Sequence, residues 1–395
     1  MAALPLADVR VLDLSRLLPG PFCSLMLADF GADVVKVEDP GAGDYARWAE
    51  PLLGGTEPST DSAFFLALNR NKRSIQLDLK SDAGRDALLG LVDRADVLLE
   101  SFRPGVLERL GLGYEALLAR RPALVICPIT GYGQDGPYRA RPGHDLNYLA
   151  SVGLLDLSGE ADGAPAQSAA QIADLGGGAL MATFGIMVAL RHATATGEGQ
   201  VVDVSMAHGA LSWLSPLAAG ALAGVAEPAR GDLQLGGGVL CYRPYACADG
   251  HVSIGALEPK FWVAFCRGVG REDLVERQFD APGTPAHAEV EAILLGRTRA
   301  QWAEFAGAID CCLEPAATLA EALAGDVVRG RDGMVVEVRQ PGVDRPLEVL
   351  GCPLILSATP ADVHRRPAPA LGEHTGEVLA EAGLVVPTPQ ETSTP

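Results

Sequence analysis

The chain has 395 residues, 48% of them hydrophobic, and a formal net charge of −19. This length allows two domains or one elaborate domain with a sizeable core. The strong negative charge argues against nucleic acid or an anionic membrane surface as a partner. An anionic ligand would therefore need a local basic cluster or helix N-termini to hold it.

Cysteine usage and the uncharged runs favour a cytoplasmic location. The eight cysteines form no C-x-x-C pair and lie mostly in apolar runs, which predicts buried reduced thiols and no metal site. The start, MAALPLADVRVLDLS, carries Asp8 and Arg10 and is not predicted to be a signal peptide. The longest uncharged run, 209–226, contains Pro216 and predicts a buried helix rather than a membrane span.

The first half alternates short apolar strands with helical patterns. Helices are predicted at Gly20–Phe30 and Asp82–Arg94. The predicted strands are Val9–Leu14, Asp33–Glu38, Arg73–Asp78, Asp96–Glu100 and Leu124–Ile129. This alternation predicts a doubly wound α/β fold, with a parallel sheet covered on both faces. The dinucleotide fingerprint GxGxxG is missing after the first strand.

The second half has a different pattern of predicted elements. Asp174–Ala193 predicts one long, mostly buried helix. Leu240–Leu257 then predicts a hairpin with Asp249-Gly250 at its turn, and Glu258–Val269 a helix. Helical patterns continue to about Ala324, so this part is expected to form a smaller α+β unit. A short helix at Thr375–Ala382 precedes a polar end that is predicted to be disordered.

Two segments could hold an anionic ligand. Arg70, Lys72 and Arg73 of LNRNKRSI are cations in a loop at the start of a strand, where phosphates often bind. Ser101–Arg103 follow the carboxyl end of a strand, where ligands gather in open α/β sheets, and Arg109 could reach the same edge. The alternatives are a solvated basic turn for the first segment and a strand-to-helix turn with surface arginines for the second.

Three residues could carry acid/base chemistry. His144, in GHDLNYLA, is either a satisfied histidine at a capped helix start or a catalytic base. Asp174 suits an N-cap, but Gly176–Gly178 after it cost about 1 kcal/mol each against Ala, which favours ligand approach to free N–H groups. Glu258 is either an N-cap or the partner that fixes a histidine's tautomer. Shortly before His144 lies the flexible GYGQDGP (131–137), which is either a surface turn or a backbone approach to a ligand.

Taken together, these segments resemble the family III CoA transferases and the related α-methylacyl-CoA racemases. The resemblance runs in order over nearly the whole chain. The segments that carry it are LPLADVRVLDLSRLLPGPFCSLMLADFGADVVKVE, LNRNKRSIQLDL, ADVLLESFRPGVLERLGL, ITGYGQDGP, GHDLNYLA, ADLGGGAL, TGEGQVVDVSM, ADGHVSIGALEPKFW and GEHTGEVL.

The resemblance implies a Rossmann-like large domain, a smaller α+β domain and an obligate, interlocked homodimer. The implied division is 1–208 for the first part of the large domain, 209–226 for a connecting helix, 227–330 for the small domain and 331–395 for the return to the large domain and the tail. It implies CoA as part of the substrate and no other cofactor. The implied CoA- and thioester-contacting residues are Leu68, Asn69, Arg70, Asn71, Lys72, Ser101, Phe102, Arg103, Arg109, Gly143, Asp145, Asn147 and Tyr148.

The resemblance also implies roles for the candidate catalytic residues. In transferases the aspartate that matches Asp174 is the nucleophile. In racemases it is one of two acid/base groups, the histidine that matches His144 is the other, and a glutamate that matches Glu258 is associated with that histidine. Inverting a carbon beside a thioester needs a base on each face and a dipole on the oxygen that becomes an enolate.

The sequence therefore favours an epimerase of 2-methylacyl-CoA thioesters. CoA transfer through Asp174 and a non-catalytic CoA-binding protein are the alternatives. Two departures from the racemase pattern bear on this choice. Asp39 stands where an arginine often helps to hold CoA, and LQLGGGVLCY replaces a segment of the Asn-Met-Leu-Asp-Gly-Gly-Ala-Pro type. Its glycines, Gly236–Gly238, are similar to the mobile glycine loop of transferases.

Overall fold

The computed structural model describes residues 4–385, so the predicted disordered end lies largely outside the described residues. The chain divides into two compact units. The first comprises the described parts of 1–152, 170–212 and 331–395, and the second comprises 153–169 and 213–330. Residues 153–169 thus group with the second unit, whereas the sequence placed them within 1–208.

A seven-stranded parallel sheet forms the centre of the first unit. Its strands are β1 (Arg10–Asp13), β2 (Asp33–Glu38), β3 (Lys72–Gln76), β4 (Val97–Glu100), β5 (Val125–Thr130), β6 (Gln200–Val201) and β7 (Val204–Ser205). Its helices up to residue 212 are α1 (Pro19–Asp29), α2 (Ala63–Asn69), α3 (Asp82–Val92), α4 (Val106–Arg109), α5 (Tyr114–Arg120), α6 (Asp145–Ser151), α7 (Met181–Thr196) and α8 (Met206–Ser212).

The strand order is β3-β2-β1-β4-β5-β6, with β7 beside β5, and this is the doubly wound arrangement that the sequence predicts. The five predicted strands and the two helices between them are all present, with ends that shift by no more than two residues. Alternate strand residues face one core, where Leu12, Val35, Ile75 and Leu98 pack with Leu88 and Leu91 of α3. The strands are buried on both faces, which explains their continuous apolar runs.

The predicted long helix at Asp174–Ala193 is present but differs in two ways. It begins as a π-helix, Ile172–Leu180, and continues as α7. It is also less buried than predicted, because Leu180, Phe184, Met187 and Val188 are exposed. Ile172–Thr196 is long and apolar enough to cross a membrane, but core helices of soluble proteins pass the same test, so this is weak evidence.

The prediction of one buried helix over 209–226 is wrong. The segment contains the end of α8, a turn at Trp213 and a separate helix, α9 (Ser215–Leu222), which has no buried residue. Pro216 explains the break because proline lacks an N–H and belongs in a first helical turn. The absence of charged residues in 209–226 therefore did not indicate a buried helix.

The second unit is the predicted α+β body. Its remaining elements are β8 (Tyr242–Cys247), β9 (Gly250–Gly255), α10 (Pro259–Gly268), α11 (Pro285–Leu295), α12 (Arg299–Ala308), β10 (Leu313–Pro315), α13 (Leu319–Ala324) and α14 (Asp326–Arg329). The three strands pair antiparallel. Trp262, Phe265, Trp302 and Phe305 form an aromatic cluster at the centre of its core.

The chain then returns to the first unit. The hairpin of β11 (Val335–Val338) and β12 (Leu347–Leu350) precedes α15 (Thr375–Glu381). Val378 and Leu379 of α15 join the same core as the central strands. Leu384, the last apolar residue but one that the structure describes, packs against that core too.

Candidate active site

The carboxyl ends of β1, β2, β3 and β4 surround a cavity of about 650 Å³. The chain order reverses between β1 and β4, and ligands bind in open α/β sheets outside the strand ends at such a switch point. Phe102 lines the cavity, as do Arg16 and Lys80, two cations that the sequence analysis did not single out. Asp39 is also in the wall, and its carboxylate lies 2.8 Å from the guanidinium of Arg16.

The turn after β4 is fixed by a buried carboxylate. Glu100 accepts hydrogen bonds from the backbone N–H of Phe102 (2.6 Å) and the hydroxyl of Tyr114 (2.5 Å). Burial raises the pKa of Glu100 to about 7, although these two donors oppose the shift. Ser101 accepts from the N–H of Arg16, which joins this turn to the one after β1. Arg103 and Arg109 are exposed beyond the turn, and their contact with CoA stays a prediction.

The segment Leu68–Lys72 does not form the exposed basic loop that its sequence predicted. All five residues are buried. Arg70 makes two hydrogen bonds with Asp29, at 3.0 and 2.6 Å, and a third to the carbonyl of Leu350. Asn71 also donates to Asp29. These countercharges and carbonyls lie far away in sequence, so they gave no local signal that the cations would be buried.

The side chains of Lys72 and Arg73 also bind partners within the first unit. Its ammonium donates to the carbonyl of Pro21 and to the side-chain oxygen of Asn69, both at 2.9 Å. Burial lowers the pKa of Lys72 to about 7, and nearby Asp13 opposes the shift. Arg73 pairs with Asp33 and with carboxylates of α15. These side chains hold the sheet together, and none presents a free cation.

Asp145, the residue that follows His144, links the segment of His144 to that of Asp174. His144 is the N-cap of α6, and its backbone N–H donates to the side chain of Asn147 at 3.0 Å. Asp145, the first residue of α6, accepts from the backbone N–H groups of Ala173 (2.6 Å) and Asp174 (3.0 Å). The carboxylate of Asp145 thus ties the start of α6 to the start of the π-helix.

The environment of Asp174 suits proton transfer near neutral pH. Its pKa is raised to about 6, chiefly by burial and then by the charge of Asp145, while His144 acts in the opposite direction. Burial raises the pKa of Tyr148 to about 12, and the negative charge of nearby Asp174 adds to this shift. The Tyr148 hydroxyl donates to the carbonyl of Gly143 at 2.5 Å, which fixes the loop before His144. Of the predicted thioester-end residues 143–148, His144, Asp145 and Tyr148 therefore lie near Asp174.

The glycines that follow Asp174 are explained by helix packing. A Cβ on Gly177 would lie 2.5 Å from the carbonyl oxygen of Met206, and one on Gly209 would lie 2.0 Å from the carbonyl oxygen of Gly177. A Cβ on Gly178 would lie 2.9 Å from the side chain of Met206. Close contact with α8 is thus the reason for at least two of these glycines, where the sequence analysis had favoured ligand approach. A π-helix at a candidate site is a recurrent association in proteins.

Glu258 belongs to the second unit. It is the exposed N-cap residue of α10, but its side chain makes no capping hydrogen bond. The N-cap alternative is therefore not supported by a side-chain contact, and its association with His144 stays a prediction. In residues 4–385, no group of three or more His, Cys, Asp or Glu side chains could hold a metal ion.

Comparison with known proteins identifies the family. Residues 6–375 match the family described as CoA-transferase family III. The chain belongs to this family. It is 38% identical over 382 residues to the alpha-methylacyl-CoA racemase of Mus musculus, covering 96% of this chain and 93% of that protein. It is 35% identical over 400 residues to the succinyl-CoA:mesaconate CoA-transferase of Haloarcula marismortui, covering 96% of each.

The solved structures give the same assignment. A CAIB/BAIF family protein from Brucella suis superposes with a TM-score of 0.82 at 30% identity, over 96% of this chain and 100% of that chain. The doubly wound sheet and the smaller α+β unit are therefore the fold of this family. Since both a racemase and CoA-transferases are among its relatives, family membership leaves open which reaction the enzyme catalyses.

Proposed function

We propose that the enzyme epimerises 2-methylacyl-CoA thioesters by two-base proton transfer. The observation that carries the proposal is that Asp145, the residue after His144, accepts hydrogen bonds from the backbone N–H groups of Ala173 and Asp174, which brings the start of α6 beside Asp174. One base removes the proton from C2 of the acyl group, and the conjugate acid of the other returns a proton to the opposite face. For the opposite epimer the two roles are exchanged.

The environment of Asp174 supports this role. With a pKa near 6, Asp174 is largely ionised at neutral pH yet close enough to neutrality to give its proton back. The enolate that forms between the two transfers carries charge on the thioester oxygen, which needs a donor. The first-turn N–H groups of Ala173 and Asp174 already donate to Asp145, so this donor is left to other groups of the site.

We place the nucleotide end of CoA in the cavity at the strand ends. Phe102 offers an apolar surface for adenine there, and Arg16 and Lys80 offer charge for phosphates in a strongly acidic chain. Asp39 pairs with Arg16 and would compete with a phosphate for it. The chain requires no other cofactor under this proposal.

CoA transfer is the second candidate, and the relatives that carry out such transfers favour it. In that reaction the ionised carboxylate of Asp174 attacks the thioester carbonyl and displaces CoA thiolate, giving a mixed anhydride. Partial desolvation of Asp174 would strengthen this nucleophile. His144 has no required role in that reaction.

His144→Ala separates the two candidates. Epimerisation should fall by at least about 100-fold, since positioned acid/base groups contribute roughly 10²- to 10⁴-fold. Transfer to a free carboxylic acid should survive the same substitution. Loss of both activities in Asp174→Asn, with binding of CoA retained, is expected under either candidate.

We also propose that the enzyme is a homodimer. Leu180, Phe184, Met187 and Val188 recur at helical spacing and form one exposed apolar face, on which Phe184 is 70% exposed. Apolar faces of this kind are covered by a partner in oligomeric proteins. We expect a second copy of the chain to cover it.

A further inference from the structure

Two adjoining cavities of the first unit, of about 340 and 810 Å³, take no part in the proposed reaction. Val363 and His364 line both of them. Val338 lines the smaller cavity and Val336 the larger, and these alternate residues of β11 share one face of the strand. Every residue that lines either cavity belongs to the first unit.

The cavities lie at the amino edge of the parallel sheet. Arg70, in the wall of the smaller cavity, comes two residues before β3. Its ion-pair partner, Asp29, ends α1 four residues before β2. The cavity proposed for CoA lies at the carboxyl ends of the same strands, which is the opposite edge of the sheet. A ligand bound at the amino edge therefore does not compete with CoA.

The smaller cavity, called here the cationic cavity, has an excess of positive charge. Its basic side chains are Arg70, Arg339, His364 and Arg366, and Glu337 is its one acidic side chain. Asp29 matches the charge of Arg70 at 2.6 Å. Arg339 and Arg366 are exposed, and neither has an ion-pair partner within residues 4–385. In a chain with a net charge of −19, two unmatched guanidinium groups at one cavity favour an anion, and their planar forks fit a carboxylate.

The larger cavity, called here the apolar cavity, has a mostly hydrocarbon wall. Its apolar side chains include Leu4, Val336, Leu354, Ile355, Ala361 and Val363. Leu354 and Ile355 are 49% and 57% exposed, so an alkyl chain laid against them would remove apolar surface from water. Its volume falls within the range of about 300–1,000 Å³ that is usual for small-molecule sites.

Two exposed carboxylates, Asp332 and Asp362, also line the apolar cavity. That of Asp362 accepts a hydrogen bond from the backbone N–H of His364 at 2.9 Å. Negative charges here repel an anionic head group, whereas Arg339 and Arg366 in the adjoining cavity attract it. The charges thus set one direction for an amphipathic anion across the two cavities.

We propose that the two cavities together bind a free fatty acid. Its carboxylate lies in the cationic cavity against Arg339 and Arg366, and its alkyl chain lies in the apolar cavity. The argument uses only residues of the first unit and no step of the proposed reaction. Binding of the fatty acid therefore stands or falls independently of epimerisation and of CoA transfer.

The test is isothermal titration calorimetry of the full-length enzyme with decanoate, 1-decanol and acetate, each below the concentration at which it aggregates. Decanoate should bind at least about tenfold more tightly than 1-decanol, which lacks the charge, and than acetate, which lacks the chain. From octanoate to decanoate the affinity should rise roughly two- to fourfold per added CH₂ group. Equal binding of 1-decanol, or no binding of decanoate because a second copy of the chain closes the cavities, would overturn the proposal.

Substitutions of exposed residues locate the bound decanoate. The double variant Arg339→Gln, Arg366→Gln should bind it at least about tenfold more weakly. Arg345→Gln is the matched control, because Arg345 is exposed in the turn of the same hairpin and lines neither cavity. Ile355→Glu places a charge in the apolar cavity and should weaken binding as well. Unchanged affinity in the double variant, or displacement of decanoate by saturating CoA, would place the fatty acid elsewhere and overturn the proposal.

Discussion

At the scale of single residues, the chemistry depends on how Asp145 sets the position and the pKa of Asp174. The carboxylate of Asp145 accepts a hydrogen bond from the backbone N–H of Asp174 at 3.0 Å, which holds the two residues close to each other. The charge of Asp145 adds to burial in raising the pKa of Asp174 to about 6. One side chain thus aligns the candidate base and tunes it.

The pH dependence of kcat/KM should report this coupling. Asp174 must be ionised to remove a proton, so activity should fall as the pH drops through about 6. In Asp145→Asn the side-chain oxygen that accepts from the backbone N–H groups is kept but the negative charge is lost, so the pKa of Asp174 falls and the inflection moves to lower pH. A pH–rate profile of both enzymes measures the shift. An unchanged inflection would show that the loss of activity at low pH reports the titration of another group.

Buried and exposed ion pairs should differ sharply in their effect on stability. Asp29→Ala leaves Arg70 buried without its countercharge, so the free energy of unfolding should fall by about 3–5 kcal/mol. Asp39→Ala breaks the pair with Arg16, which is partly exposed, and should change it by no more than about 1 kcal/mol. Urea denaturation of the two variants gives both values. Similar losses would mean that Leu68–Lys72 is not the structural segment described above.

Residue types indicated candidate acid/base residues that the structure places near one another, but they gave the wrong exposure for the cations; the catalytic roles stay predictions. His144 and Asp174 stood out in sequence because each precedes a helix beside a glycine, and the structure brings them together through Asp145. The cations of 68–73 gave a false signal of exposure. Their partners, such as Asp29 and Leu350, come from other elements and cannot be inferred from local pattern.

At the scale of elements, the contact between the π-helix and α8 fixes the backbone of the site. Gly177 and Gly209 face each other so closely that neither has room for a side chain. Three glycines in a row would weaken an isolated helix. Here Gly177 lets the π-helix backbone meet the backbone of α8, three residues after Asp174.

Glycine-to-alanine substitutions test this packing. In Gly209→Ala the new Cβ meets the carbonyl of Gly177, so the free energy of unfolding should fall by about 1–3 kcal/mol, together with activity. Gly307→Ala lies in α12 with no atom within 4 Å of the new Cβ, and should stabilise the protein by about 0.5–1 kcal/mol. Thermal melting separates the two. A neutral Gly209→Ala would mean that the helices can move apart without loss.

Elements with strong local signals could be predicted from the sequence, and those governed by tertiary contacts could not. The five central strands and the Asp249-Gly250 hairpin were predicted because continuous apolar runs and turn residues mark them in the sequence. The broken segment 209–226 and the π-helix were missed. The first has no charge to mark exposure, and the second depends on close packing with α8.

At the scale of the whole molecule, the exposed face of α7 makes a prediction about assembly. Phe184→Glu places a charge on the apolar face, so a homodimer should dissociate or weaken by at least about tenfold. Leu295→Glu, an equally large change at an exposed residue of the second unit, is the control. Sedimentation velocity gives the oligomeric state of each variant. A wild type that stays monomeric at micromolar concentration would contradict the dimer.

The reaction itself is decided by incubating the enzyme in heavy water with a single 2-methylacyl-CoA epimer and a free carboxylate acceptor. Two-base epimerisation through His144 and Asp174 predicts deuterium at C2 and loss of stereochemical purity, because each inversion returns a proton exchanged with solvent. A C2 proton that is fully retained, together with a new acyl-CoA formed from the acceptor, would contradict the account and establish transfer through Asp174.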